Sequence, residues 1–327
     1  MFKKSTLSII AIVSLSLVFS YAALAKWDRS RADDFTGTEA RMLGIHFSDE
    51  KNGCAVGDYG IIVTTKNGGA SWETMEKPQD KDLWEVYFIN NKVGWASGDA
   101  GVILYTKDGG ESWRKQDSVS SVALYSIFFI DDRNGWAVGT NGTIRATTNS
   151  GSIWASISGG TGAAVVGEGA PGLWDVKFIT PKKGWVAGEN GAIQMTTDGG
   201  KTWANQNNTG IDNNLSALDF ANETTGWVVG EAGTILNTTD GGTTWTQQES
   251  GVTEWLNGVD FISEKEGLVV GEYGTVLRTT DGGATWVLET SGKEQGASKY
   301  RFYDVSFPKP KTAFLTADWG LILKYNP

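Results

Sequence analysis

The sequence predicts an all-β chain folded as a seven-bladed β-propeller, and three observations carry that expectation. An octapeptide ending in Trp recurs six times at nearly constant spacing. Each unit between copies holds short apolar runs bounded by Gly, Asn or Asp, as strands are. Helical periodicity is absent from the repeated region.

The copies are TKNGGASW ending at Trp72, TKDGGESW at Trp113, TTNSGSIW at Trp154, TTDGGKTW at Trp203, TTDGGTTW at Trp245 and TTDGGATW at Trp286. Their Trp residues lie 41, 41, 49, 42 and 41 positions apart, the length of a four-stranded blade. Upstream of the octapeptide a strand A ends in Phe: Phe47, Phe88, Phe129, Phe178, Phe220, Phe261 and, in a last unit, Phe307. Strand B opens on Gly and an apolar residue, most often Trp (Trp95, Trp136, Trp185, Trp227), and a G-x-x-G turn leads into strand C. Strand D starts at the octapeptide Trp. The blades expected are 42–82, 83–123, 124–172, 173–214, 215–255, 256–301 and 302–327 plus 26–41. The last unit supplies FYDVSF (302–307), TAFLTA (312–317) and GLILKY (320–325) but no fourth strand. Trp27 lies 45 positions before Trp72, so residues 27–32 are expected to complete blade seven. An N-terminal strand closing the last blade removes edges that invite aggregation.

Ahead of the repeats, Lys3 and Lys4, an apolar run over 7–19 and Ala23-Leu24-Ala25 read as a signal peptide over 1–25, with the mature chain starting at Lys26. A soluble, exported protein of the periplasm or a thylakoid-lumen equivalent is the expectation. Without the leader, 26 basic residues face 38 acidic ones, which argues against nucleic acid and against a general basic contact with anionic lipid. Cys54 is the single cysteine and occupies the slot of the strand B Trp, so it reads as packing. The single histidine, His46, leaves no His-based metal site or catalytic triad, and no cofactor is expected.

In the octapeptide the Asp or Asn (Asn67, Asp108, Asn149, Asp198, Asp240, Asp281) can accept hydrogen bonds from its own turn, and the Gly positions permit positive φ. The pattern S/T-x-D-x-G-x-T-W resembles the Asp-box, or BNR repeat, of sialidases and other propellers. That resemblance places the boxes on the C–D hairpins, opposite the face that binds ligands. A phosphate-loop reading of GGKT fails because Met195 stands where Gly is needed, and the Lys201 slot varies freely between copies.

Function is therefore sought on the face of the B–C turns. Their first central residue is acidic in six blades: Asp58, Asp99, Glu189, Glu231, Glu272 and Asp318, with Thr140 the exception. A polar residue suits such a turn; the alternative is an acidic ring attracting a basic peptide or a cation. Tyr59, Tyr273 and Trp319 follow in three neighbouring blades, either as a contact surface or as packing under the loop over 287–301. On strand A, Trp84, Tyr125, Trp174 and Tyr303 precede Glu85, Asp175 and Asp304 and either line the channel or fill the core between blades. On strand C, Arg145 and Gln194 replace an apolar residue. A buried Arg145 needs a carboxylate or carbonyl partner, a salt bridge before a ligand clamp. The Gly-rich insertion over 157–172 is a further contact candidate.

The run LWDVKFITPKKGWVAGENGAIQMTTDGGKTW, and with it nearly all of residues 27–327, resembles the photosystem II stability/assembly factor family. The resemblance implies a non-catalytic propeller that binds a nascent membrane subunit, or a membrane-protein complex, and assists its assembly. It implies peripheral rather than integral membrane contact; we read the chain as a monomer. Members are associated with an arginine-rich patch; this chain has eight Arg, and Arg145 and Arg278 form no cluster, so the patch is not carried over. The alternative is a secreted Asp-box glycosidase of sialidase type, or a carbohydrate-binding propeller. Asp175 or Asp304 would then act, although no arginine triad or F-R-I-P-like segment accompanies them.

Overall fold

Short β-branched and aromatic runs punctuated by Gly pair into seven four-stranded antiparallel sheets, each ordered A-B-C-D from its first strand to its last. The computed structural model describes residues 26–31, 40–157, 170–206, 210–291 and 300–326. Among them there is no α-helix, and no helix is long and apolar enough to cross a membrane. The A strands run Met42–Phe47, Leu83–Phe88, Leu124–Phe129, Leu173–Phe178, Leu215–Phe220, Leu256–Phe261 and Phe302–Lys309. Successive A strands pack on one another, and the first packs on the last, which closes the ring.

Blade seven is completed as expected. Lys26–Arg31 pairs antiparallel with Ile322–Asn326, aligning Trp27 with Tyr325, while Ala32 lies outside the described residues. The closing strand is tied to blade one by Ser30, whose hydroxyl donates to the carbonyl of Gly69 and accepts from the Trp72 indole at 3.0 Å.

The repeated aromatics form one three-ring contact set in each of blades three to six. Trp185 of blade four stacks on Phe220 of blade five at 3.7 Å, and Phe220 meets the box residue Trp245 edge-on at 5.9 Å. The set recurs as Trp136–Phe178–Trp203 and Trp227–Phe261–Trp286. A strand B Trp also reaches the next blade's box: the Trp185 indole donates to Gly241 O at 3.2 Å, and Trp136 to Gly199 O at 3.0 Å. The Gly before each strand B Trp follows from the same packing, since a Cβ on Gly184 would lie 2.5 Å from the Phe178 ring.

Within a box, the Thr196 hydroxyl donates to Asp198 at 2.8 Å and accepts from Gly200 N at 2.9 Å. Thr202 donates to Asp198 through its amide at 2.9 Å and its hydroxyl at 2.6 Å. Gly200 has φ +87, and its pro-Cβ position abuts the Trp136 indole at 3.0 Å, so it serves the turn and the neighbouring blade together. The boxes of Asn67, Asp108, Asn149, Asp240 and Asp281 repeat the amide bond. The hydroxyl bond recurs at Asp108, Asp240 and Asp281, while Asn67 donates to Ser71 and Ile153 offers no hydroxyl to Asn149.

Candidate partner-binding site at the channel mouth

The A strands leave one edge unpaired by their own sheets, and an unmet buried amide there would cost about 1–3 kcal/mol. Side chains of the preceding blade meet that demand. In the inner ring Phe47 N donates to Ser306 at 3.1 Å, Phe88 N to His46 Nδ1 at 3.3 Å, Phe261 N to Asp219 at 2.9 Å and Phe307 N to Asp260 at 2.7 Å. One turn nearer the B–C face, Ile45 N donates to Asp304 and Leu218 N to Asp175, both at 2.8 Å. Asp175, Asp219, Asp260 and Asp304 are thus clasps between blades. His46 acts as an acceptor because burial, with the nearby Lys177 charge, pushes its pKa down to about 3 and keeps it neutral. Lys177 is buried, which opposes its charge, but the ion pair with Asp219 at 2.7 Å outweighs that and raises its pKa.

A bulge at the start of strand A interrupts the in-out alternation, for instance between Leu173 and Asp175. The second residue is thereby released from the pleat. In all seven blades it lines one cavity: Leu43, Trp84, Tyr125, Trp174, Ser216, Asn257 and Tyr303. That cavity, of about 460 Å³, also takes in Glu85, Asp175, Asp304, Glu189, Glu272, Trp255 and Arg301. Trp174 stacks on Trp255 at 5.8 Å, and Trp84 meets Tyr125 edge-on at 5.5 Å. These aromatics line the mouth rather than the core between blades.

The floor is electrostatically costly. Burial raises Asp304 to about 7 against hydrogen bonds from Ile45 and Val305, and raises Asp175 to about 6 against those from Leu218, Ser126 and Val176. Glu85 is pushed well above the usual carboxylate range by burial and by repulsion from Asp304 and Asp175. Two arginines flank the rim. Arg41 is held by Asp58 at 2.7 Å and lies 5.8 Å from the rings of both Trp84 and Tyr303. Arg301 pairs with Glu272 at 2.6 Å. Aromatic planes, a floor of buried carboxyls and a positive rim suit the binding of a polar or charged segment.

The acidic ring of the B–C turns is occupied by the chain itself. Asp58 accepts from Arg41 N at 2.8 Å, Glu189 from Gly172 N at 2.8 Å, Glu231 from Asn214 N at 3.3 Å and Asp318 from Arg301 N at 2.8 Å. Asp99 accepts from the Trp84 indole and Asp318 also from the Tyr303 hydroxyl, both at 2.7 Å. Each carboxylate fixes the residue that leads into strand A or the aromatic behind it. Only Glu189 and Glu272 of the ring also line the cavity.

Tyr59, Tyr273 and Trp319 are 54%, 63% and 47% exposed and sit at φ 58, 54 and 56. Sister turns hold Ala or Asn in that left-handed position, so the aromatics serve no need of the turn. They stand outside the cavity, with Trp319 edge-on to Tyr300 at 5.1 Å. Arg145 and Gln194 lie elsewhere, on strand C. The salt bridge expected for Arg145 is replaced by main-chain carbonyls: it donates to Ser118 O at 3.1 Å and Val119 O at 3.0 Å, and pairs with no carboxylate among the described residues. Gln194 donates to Asn205 at 3.0 Å. The contact candidate over 157–172 and the loop over 287–301 fall largely outside the described residues. Trp255, Arg41 and Arg301 were not singled out from sequence. Trp255 and Arg301 immediately precede strand A, Arg41 likewise, and an alignment on strand A rather than on the octapeptide brings the three into one column.

The family description "Photosynthesis system II assembly factor YCF48" matches residues 23–121, 164–251 and 246–326. No curated protein matches the chain. Among solved structures, "YCF48 bound to D1 peptide" superposes with TM-score 0.73 at 21% identity, covering 93% of this chain and 97% of that one. YCF48 from Cyanidioschyzon merolae gives 0.72 at 19%, covering 92% and 98%. The GH74 enzyme of Niastella koreensis gives 0.66 at 16%, covering 87% of this chain and 43% of the enzyme. At these identities the structural likenesses establish the seven-bladed propeller.

Proposed function

The chain belongs to the Photosynthesis system II assembly factor YCF48 family, and on that premise we propose that it is an exported, non-catalytic scaffold. It holds a segment of a membrane-protein subunit at the channel mouth and so assists assembly or stability of the complex. The observation that carries this reading is the aromatic cavity on the B–C face, built from the second residue of every A strand. A propeller of similar fold is described as bound to a peptide, D1, which supports a peptide as the occupant. The leader-like segment over 1–25 supports export, and peripheral contact by a monomer fits a chain whose partner carries the membrane anchor.

A glycosidase reading draws on the GH74 neighbour and on Asp175 and Asp304. Both carboxylates brace the next blade's backbone, which favours a structural part for them. The test is affinity capture from detergent-solubilised membranes with the protein immobilised. One recurrent integral membrane subunit is expected, and the double variant Trp84→Ala, Trp174→Ala should lose it. Recovery of no specific subunit, or turnover of aryl-glycosides or sialosides abolished by Asp175→Asn, would overturn the proposal.

A further inference from the structure

Arg41 shows what the mouth does with a cation. Its guanidinium lies 5.8 Å from the ring of Trp84 and 5.8 Å from that of Tyr303, while Asp58 holds it from the side. It stands at the rim beside two lining rings, on the side of blades seven, one and two. The half formed by blades three to five presents Tyr125, Trp174 and Trp255 above Asp175 and Glu189, with Glu85 at the boundary. No cation lies over those three rings among the described residues.

The polar groups there are also incompletely used. Glu85 accepts one hydrogen bond, from Val86 N to Oε1 at 2.8 Å, and its second oxygen has no partner among the described residues. The Trp174 indole N–H likewise has none, whereas that of Trp84 is taken by Asp99 and that of Trp255 by Ser216 at 2.6 Å. Arg301 is paired with Glu272 and Lys177 with Asp219; the Lys177 charge opposes the rise in the pKa of Glu85 but does not cancel it.

We propose that this open half of the mouth is a receptor for one cationic side chain of the partner segment, a guanidinium or ammonium group seated against Trp174 and Trp255 and paired with Glu85. The arrangement copies the seat of Arg41 at the rim, where a cation lies near two rings with a carboxylate beside it. A cation relieves the repulsion among Glu85, Asp175 and Asp304, which a neutral sugar stacked on the same rings leaves in place. The inference rests on the mouth being the partner contact, and it specifies that the contacting segment is basic at that point.

The test titrates the protein with the capped peptide Gly-Gly-Arg-Gly-Gly at low salt, followed by tryptophan fluorescence and calorimetry. Its citrulline counterpart, the same shape without charge, and a neutral xyloglucan oligosaccharide run in parallel. The arginine peptide should bind at least about tenfold more tightly than the citrulline peptide, and Glu85→Gln and Trp174→Ala should each weaken it about tenfold or more. Lys66→Ala, on the opposite face, should leave binding unchanged. Melting curves show whether each variant is folded, and Trp255→Phe serves as a milder second probe of the ring. Equal binding of both peptides, binding of the oligosaccharide alone, or an unaltered affinity in Glu85→Gln would overturn the inference. If membrane capture succeeds while the peptides fail, the scaffold reading stands without the cation receptor. If the arginine peptide binds but no subunit is recovered, the receptor stands and the scaffold reading falls.

Discussion

Asp198 at a C–D hairpin and Asp175 at the channel mouth accept three hydrogen bonds apiece. The donors are Thr196 and Thr202 (hydroxyl and amide) for the first, and Ser126, Val176 N and Leu218 N for the second. Their acidities nevertheless move in opposite directions. Slight burial of Asp198 is outweighed by the Thr202 and Thr196 bonds and its pKa falls, whereas burial of Asp175 overrides its three bonds and raises it to about 6. The same contrast separates Asp240 and Asp281, lowered chiefly by bonds from Thr244 and Thr285, from Asp304, raised by burial to about 7. Solvation rather than the number of donors sets the sign. A closed, wet motif keeps its charge at little cost, while the mouth holds carboxyls whose ionisation burial opposes and a bound cation would favour.

Three measurements probe this division, in order of expected size. Trp185→Ala removes a fully buried ring, its stack on Phe220 and its bond to the blade-five box, and should cost about 3–5 kcal/mol in denaturant unfolding. A loss below about 1 kcal/mol would mean that the boxes are not joined across blades as described. Next, Asp198→Ala should destabilise by about 0.5–1.5 kcal/mol, since Thr196 and Thr202 lose their acceptor at a largely exposed turn. Glu85→Gln should leave stability at pH 7.5 unchanged or raise it. A comparable loss in both variants would erase the distinction between the faces.

The third is the pH profile. Asp175, Asp260 and Asp304 have folded pKa values near 6, 7 and 7, above the ordinary value, so between about pH 4 and 7 the folded state binds more protons than the unfolded one. Stability should therefore rise as pH is lowered from 8 towards 5, by no more than about 1.4 kcal/mol per pH unit for each net proton taken up. The box carboxylates, with lowered pKa values, contribute stability that is present above about pH 4 and lost below it. Chemical denaturation across this range should give a maximum near pH 4–5, and a steady rise up to pH 8 would refute the assignment.

The fold was legible because each octapeptide Trp meets the strand A Phe of its own blade in a contact repeated through six blades. Spacing along the chain therefore reports spacing around the ring. The fourth strand of blade seven could be placed from Trp27 because closure demands a strand at one period's distance. The site was legible in part. Trp84, Tyr125, Trp174 and Tyr303 are found at the mouth, with Glu85, Asp175 and Asp304 below them. The acidic turn residues stand out in sequence, yet their partners are main-chain amides such as Arg41 N and Gly172 N, which composition does not reveal. Trp255 and Arg301 escaped notice because they precede strand A, where the loops differ in length. For Arg145, of the two partners expected, carboxylate or carbonyl, the structure supplies carbonyls, at a loop with φ 54 at Val119, and no salt bridge among the described residues.

The pairing of Lys26 with Asn326 also governs how the molecule is made. Six sheets are each assembled from neighbours in the chain, so they form through short-range encounters. The seventh requires segments about three hundred residues apart in sequence, the slowest kind of encounter to organise. Until it happens, strand C of blade seven, Ile322–Asn326, keeps an open edge, and the seam with blade one lacks the Ser30 tie to Gly69 and Trp72. The nearly finished ring is therefore the species most exposed to wrong partners, and ring closure is the step that a folding helper would most usefully accelerate.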